Sequence, residues 1–123
     1  MDYFQDIRPI PFEGRDTDNP LAFRWYDANR LVGDKTMREH LRFAMAWWHT
    51  LGGTGADPFG QPTKNFPWLH HPQPLDQAKA KLDAGFELME KLGLQYYCFH
   101  DFDLIQESDS PAANRKRLDA ISD

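Results

Sequence analysis

The stretch "LDQAKAKLDAGFELMEKLGLQYYCFHDFDL", residues 75–104, decides how this chain folds. Leu75, Ala78, Leu82, Phe86, Met89 and Leu92 recur every three or four residues and predict a helix over 75–92 with one apolar face. Lys79, Asp83, Glu87 and Lys91 occupy another face. Gly93 follows where a helix closes in the left-handed conformation. Then comes "QYYCFH", 95–100, apolar at successive positions, which reads as a parallel strand buried on both faces. The change at His100, Asp101 and Asp103 is abrupt. In α/β folds the catalytic groups sit where parallel strands end and the next loop begins, so this polar end marks a candidate active-site rim.

Working backward, "WWHTL", 47–51, reads as a short strand because Trp and Thr favour pleated structure. Met37, Leu41, Ala44, Met45 and Trp48 share a helical period and predict a helix over 34–46, capped by Asp34. Residues 52–74 are a long Gly- and Pro-rich loop whose aromatics, Phe59, Phe66 and Trp68, argue that it is ordered and functional. Strand, loop, helix and strand together make a βαβ unit with a parallel sheet. Working forward, 101–110 is a loop, and a further helix begins at Pro111 with Ser110 as its cap. Residues 1–33 have too many breakers for regular structure and read as an extended arm, whose aromatics must lie on something. The expected organisation is an arm over 1–33, then over 34–123 the start of an α/β domain that stops within a helix. Two parallel strands do not close a core, so the sequence reads as the first part of something larger.

Composition narrows the partners. With 41% hydrophobic and 27% charged residues the chain is globular rather than disordered. A formal charge of −5 gives no basic face for nucleic acid. No apolar run reaches the ~18 residues of a membrane span, and "MDYFQDIRPIPF" lacks the features of a secretion signal. A cytoplasmic protein with neither nucleic-acid nor membrane partner is expected. The one cysteine, Cys98, lies inside the apolar run and reads as a core thiol in a reducing compartment.

His100 and Asp103 carry the chemistry. A carboxylate three residues beyond a histidine, across a turn, can accept one ring N–H, fixing the tautomer and freeing the other nitrogen to exchange a proton with substrate. Asp101, on the alternate side of the strand end, reads as structural. His70 and His71 with His40 or His49 do not have the ligand spacing of a zinc site and read as polar loop residues. Of the neighbours Trp47 and Trp48, alternation sends one into the core.

"NPLAFRWYD" (19–27), "MREHLRFAMAWWHT" (37–50), "GADPFG" (55–60), "AKAKLDAGFELMEKLG" (78–93) and "YYCFHDFDL" (96–104) occur in that order. Together they resemble the N-terminal part of the xylose isomerase family, of the longer class II type with an N-terminal arm. The resemblance covers about residue 3 to 123. It implies about two βα units of a TIM (β/α)₈ barrel, the whole enzyme being a homotetramer that binds two divalent metal ions, magnesium, manganese or cobalt. The implied activity is aldose–ketose isomerisation, D-xylose to D-xylulose and glucose to fructose, by a metal-assisted hydride shift after ring opening. It makes His100 the ring-opening histidine, Asp103 its partner, Trp48 a wall of the sugar pocket and Phe59 a residue that reaches a neighbouring subunit's site. Thr54 departs from the aromatic residue often found in that region. The metal ligands of the family lie beyond the second strand, so none is expected in this chain, which alone is expected to be inactive. The other reading is a non-catalytic truncated remnant prone to association.

Overall fold

The computed structural model describes residues 3–122. It shows a small mixed α/β structure built around one long helix. In order, the elements are β1 (Leu31–Val32), β2 (Lys35–Thr36), α1 (Met37–His40), β3 (Ala44–Ala46), a π-helical turn (Trp48–Gly52), a 3-10 turn (Pro67–His70), α2 (Pro74–Leu92), β4 (Tyr96–Cys98), α3 (Asp101–Leu104) and α4 (Pro111–Ser122). β1 and β2 form an antiparallel hairpin around Gly33, whose φ of 68° is open to glycine at little cost. β3 and β4 pair in parallel, with Ala44 opposite Tyr96, Met45 opposite Tyr97 and Ala46 opposite Cys98. The βαβ arrangement expected from the sequence is present.

α2 begins with Pro74 at its first turn, where the missing N–H has no helical partner to lose. It ends at Gly93, φ 67°, with the Gly93 N–H donating to Glu90 O and the Leu94 N–H to Met89 O. Its buried stripe is made of small residues, Ala78, Ala80, Ala84 and Gly85, with Met89. Against it lie Met45, Trp47, Leu51 and Trp68, which complete the core. Phe86, expected on the inward face, is half exposed at that stripe's margin. It meets the ring of Trp47 edge-on at 5.5 Å. The bulk of the core is supplied by Trp47, just past β3, and Trp68, in the 3-10 turn, and the helix supplies the space.

The first strand lies three residues earlier than expected. Residues 47–51 are not a strand: the chain leaves the sheet at Trp47, in helical conformation, and winds a π-helical turn from Trp48. The helix expected over 34–46 is confined to the single turn α1, whose cap is Thr36 rather than Asp34. The apolar residues of 37–48 satisfy a period of 3.6, but Met45 and Trp47 also satisfy a period of 2, and both are buried. Pairing with β4 selects the second period. Residues 101–110, expected as a loop, open with the helical turn α3.

The expected burial of β4 on both faces is also corrected. Tyr97 and Phe99 meet the Trp47 ring at 5.6 and 6.5 Å, yet Tyr96, Tyr97 and Phe99 all remain over 40% exposed. Cys98, expected as a core thiol, is exposed. Among the described residues the sheet has two strands, so α2 covers one face and no layer covers the other.

The start of the expected arm is tied to α2, but its aromatics are not all covered: Trp25 is 76% exposed and Phe12 45%, and β1 lies within the stretch expected to lack regular structure. The backbone N–H groups of Tyr3 and Phe4 donate to the two carboxylate oxygens of Glu87 at 2.6 and 2.8 Å, and the Ile10 N–H donates to Lys91 O at 2.7 Å. The Tyr3 ring packs edge-on against Trp68, which stacks on Phe66. Burial, then the nearby Asp83 and Glu87 carboxylates, raise the Tyr3 phenol above its usual range. α4 starts as expected, with the Ala113 N–H donating to the Ser110 hydroxyl. No described helix is long and apolar enough to cross a membrane.

Candidate active site

His100 lies two residues beyond the end of β4 and caps α3 in extended conformation. From there the chain turns back on itself, because Asp103, three residues on, reaches the start of its own helical turn. One carboxylate oxygen, Oδ2, accepts both the His100 backbone N–H at 2.8 Å and the His100 Nδ1–H at 2.9 Å. The Asp103 N–H donates to His100 O at 3.0 Å, which closes the turn. A carboxylate can only accept in its ionised form, so this contact places the ring proton on Nδ1 and leaves Nε2 without one in the neutral imidazole. The Asp103 side chain is 6% exposed and that of His100 is 54% exposed. A sheltered carboxylate thus orients a ring that solvent or substrate can reach.

Two aromatic rings fix the imidazole plane. Phe102 stacks on it at 5.0 Å with planes 2° apart, and Trp48 lies 4.8 Å away at 45°. Trp48 reaches this place because the π-helical turn carries it away from Trp47. Trp47 goes into the core, 1% exposed, and Trp48 goes to the rim at the C-terminal end of the sheet. π-helical turns recur at functional sites for this kind of redirection.

The structure therefore brings together three of the four residues singled out by the sequence, Trp48, His100 and Asp103. It leaves Phe59 apart. Phe59 is 98% exposed on a tight turn in which its own N–H donates to Asp57 Oδ1 at 2.7 Å and Asp57 and Gly60 exchange backbone hydrogen bonds. Asp101 is exposed and accepts from the Phe102 N–H at 2.9 Å. His40 and His70 bond to Val32 O and Asn65 Oδ1. Among the described residues no group of three or more His, Cys, Asp or Glu side chains is placed to hold a metal ion. The residues present therefore do not fit a metal centre.

Sequence reasoning missed Phe102 and Lys81. Phe102 sits between two acids and looked like a loop residue. Lys81 lies on α2, half-buried, and its ammonium donates to the backbone carbonyl of Asp103. Burial lowers the Lys81 pKa from its usual range, and the Asp103 carboxylate opposes that shift. Its position three residues after Ala78 and four before Gly85, both buried, was the available signal.

No family model matches the chain. Curated proteins do. The chain is 53% identical over 117 residues to a xylose isomerase of Bacteroides fragilis, which is 95% of this chain and 27% of that protein. It is 58% identical over 108 residues to xylose isomerase 1 of Xanthomonas axonopodis pv. citri, 88% of this chain and 24% of that protein. It is 53% identical over 109 residues to a xylose isomerase of Bacteroides thetaiotaomicron, 89% and 25% respectively. The resemblance to xylose isomerases thus covers nearly all of this chain, which spans about a quarter of the length of the relatives it matches.

Proposed function

We propose that this chain is the N-terminal part of an aldose–ketose isomerase that interconverts xylose and xylulose, and that it supplies the ring-opening histidine of that enzyme. The observation that carries the reading is the Asp103–His100 pair at the C-terminal end of β4, beside Trp48. Identity above 50% to proteins named xylose isomerase supports it. In the whole protein β3, α2 and β4 are the opening units of a (β/α)₈ barrel, and the uncovered face and edges of the two-stranded sheet fit that setting.

Aldoses are held mainly as rings, and the carbonyl is masked until the ring opens. With Nδ1–H committed to Asp103, His100 Nε2 takes the proton of the anomeric hydroxyl. The C1–O bond to the ring oxygen then breaks as the C1 carbonyl forms, and the imidazolium passes its proton to that oxygen. Asp103 holds the ring orientation and stabilises the imidazolium formed in passing. The Trp48 indole offers an apolar wall for the sugar's C–H face. Phe59, whose ring is 98% exposed, fits a part in a neighbouring subunit's pocket. On this reading the ligands for the metal-assisted hydride shift come from outside the described residues, and the 123 residues alone are inactive.

The test uses the full-length protein that carries this sequence. His100→Gln should slow turnover of cyclic xylose by roughly 10²–10⁴-fold, with far less effect on a short aldose that cannot cyclise. Equal losses on both substrates would remove His100 from ring opening. Absence of aldose–ketose turnover in the wild-type protein would overturn the reading as a whole.

A further inference from the structure

Asp103 is held at both ends. Its carboxylate takes two N–H groups of His100, and its backbone carbonyl takes the ammonium of Lys81, from a helix 22 positions earlier. That carbonyl belongs to α3, a four-residue turn whose last carbonyls have no partner within the turn. Lys81 stands half-buried at the margin of the inward stripe of α2, beside Ala78 and Gly85, a place that costs a cation. The cost is visible in its lowered pKa, for which burial is the leading cause. The core tryptophans also close on α2.

We propose that Lys81 is a positioning residue: by tying the Asp103 carbonyl to the rigid helix α2, it fixes the carboxylate that holds His100 in its Nδ1–H tautomer. Its kinetic consequence rests on the isomerase reading above. The tautomer itself does not.

The experiment compares Lys81→Met, Lys81→Gln and Lys81→Arg in the full-length protein, with exposed Lys79→Met as the control. Met conserves volume and removes the donor, Gln keeps a donor too short to reach, and Arg keeps charge and reach. Nitrogen-15 spectra of the His100 ring report the tautomer, and kcat and KM for xylose report the consequence. Lys81→Met and Lys81→Gln should lose the Nδ1–H signal and lower kcat by roughly tenfold, within the range for residues that orient a catalytic ligand. KM should stay within about twofold, since the substrate-facing groups remain. Lys81→Arg should restore both signal and rate, and Lys79→Met should change neither. An unchanged tautomer in both Lys81→Met and Lys81→Gln overturns the proposal, as does a fall in rate with the tautomer intact. If the wild-type protein turns over no sugar, the isomerase reading fails, and the spectra still decide the role of Lys81.

Discussion

The indole of Trp47 lies directly over the bare Cα of Gly85. A Cβ built at position 85 would sit 2.5 Å from Cζ2 and 2.6 Å from Cη2 of that ring, and 2.7 Å from Leu51 Cδ1. Glycine inside a helix costs about 1 kcal/mol relative to alanine. Here it is retained because the ring and backbone must approach within that gap. Gly85→Ala should therefore destabilise the protein despite the better helix former, since overpacking costs about 1–3 kcal/mol. A net loss of up to about 2 kcal/mol is expected in urea unfolding. A more stable Gly85→Ala protein would show that the indole moves aside freely.

The pair Asp103 and His100 should act as a unit. Asp103→Asn keeps an acceptor but loses the charge, so its cost in turnover should be smaller than that of His100→Gln, roughly 10–100-fold. The double variant should be little slower than His100→Gln alone, because once the imidazole is gone its orienting group has nothing to orient. Multiplicative losses in the cycle would mean that Asp103 works independently of His100.

Phe59 should matter to substrate and not to folding. Its ring is 98% exposed, so Phe59→Ala should leave stability within about 0.5 kcal/mol. In the assembled enzyme the same change should raise KM several-fold, as expected for the loss of roughly 1–2 kcal/mol of apolar burial. Unchanged KM with unchanged stability would detach this residue from the sugar site.

Glu87 ties down the arm. Both of its carboxylate oxygens are occupied by the N–H groups of Tyr3 and Phe4. Glu87→Ala leaves α2 a better helix former and removes both acceptors. Amide exchange at Tyr3, Phe4 and Ile10 should speed up, and limited proteolysis should cut first within residues 3–10. Arm amides as protected as in the wild type would show that Tyr3 on Trp68 is anchor enough.

The turn α1 should loosen in acid. The Thr36 hydroxyl, then the Thr36 backbone N–H, hold the Glu39 carboxyl below its ordinary value of 4.5. A carboxyl depressed in the folded state contributes stability that is complete above the ordinary value and is lost as pH falls through the depressed one. Protection of the Thr36 amide, taken as its exchange rate relative to that of an unstructured amide at the same pH, should be lost only at the acid end, below 4.5. Glu39→Gln should abolish that dependence.

Local chemistry settled much of this protein. The helix over 74–92, its glycine stop, the parallel strand after it and the capped helix from Pro111 all follow from periodicity and end signals that act within a few residues. The His100–Asp103 pair was legible for the same reason, because its partners lie one turn apart. Tertiary structure decided what two periods left open. Residues 37–48 suit a helix or a strand, and hydrogen bonding to β4 chose the strand at Ala44–Ala46. That choice also sent Trp47 against Gly85 and Trp48 toward His100, which neither tryptophan's neighbours specify. The exposure of Cys98 and the bond from Lys81 to Asp103 depend on which layers and helices stand opposite. Contacts between residues far apart in sequence are set by packing of whole elements, and no local pattern records them.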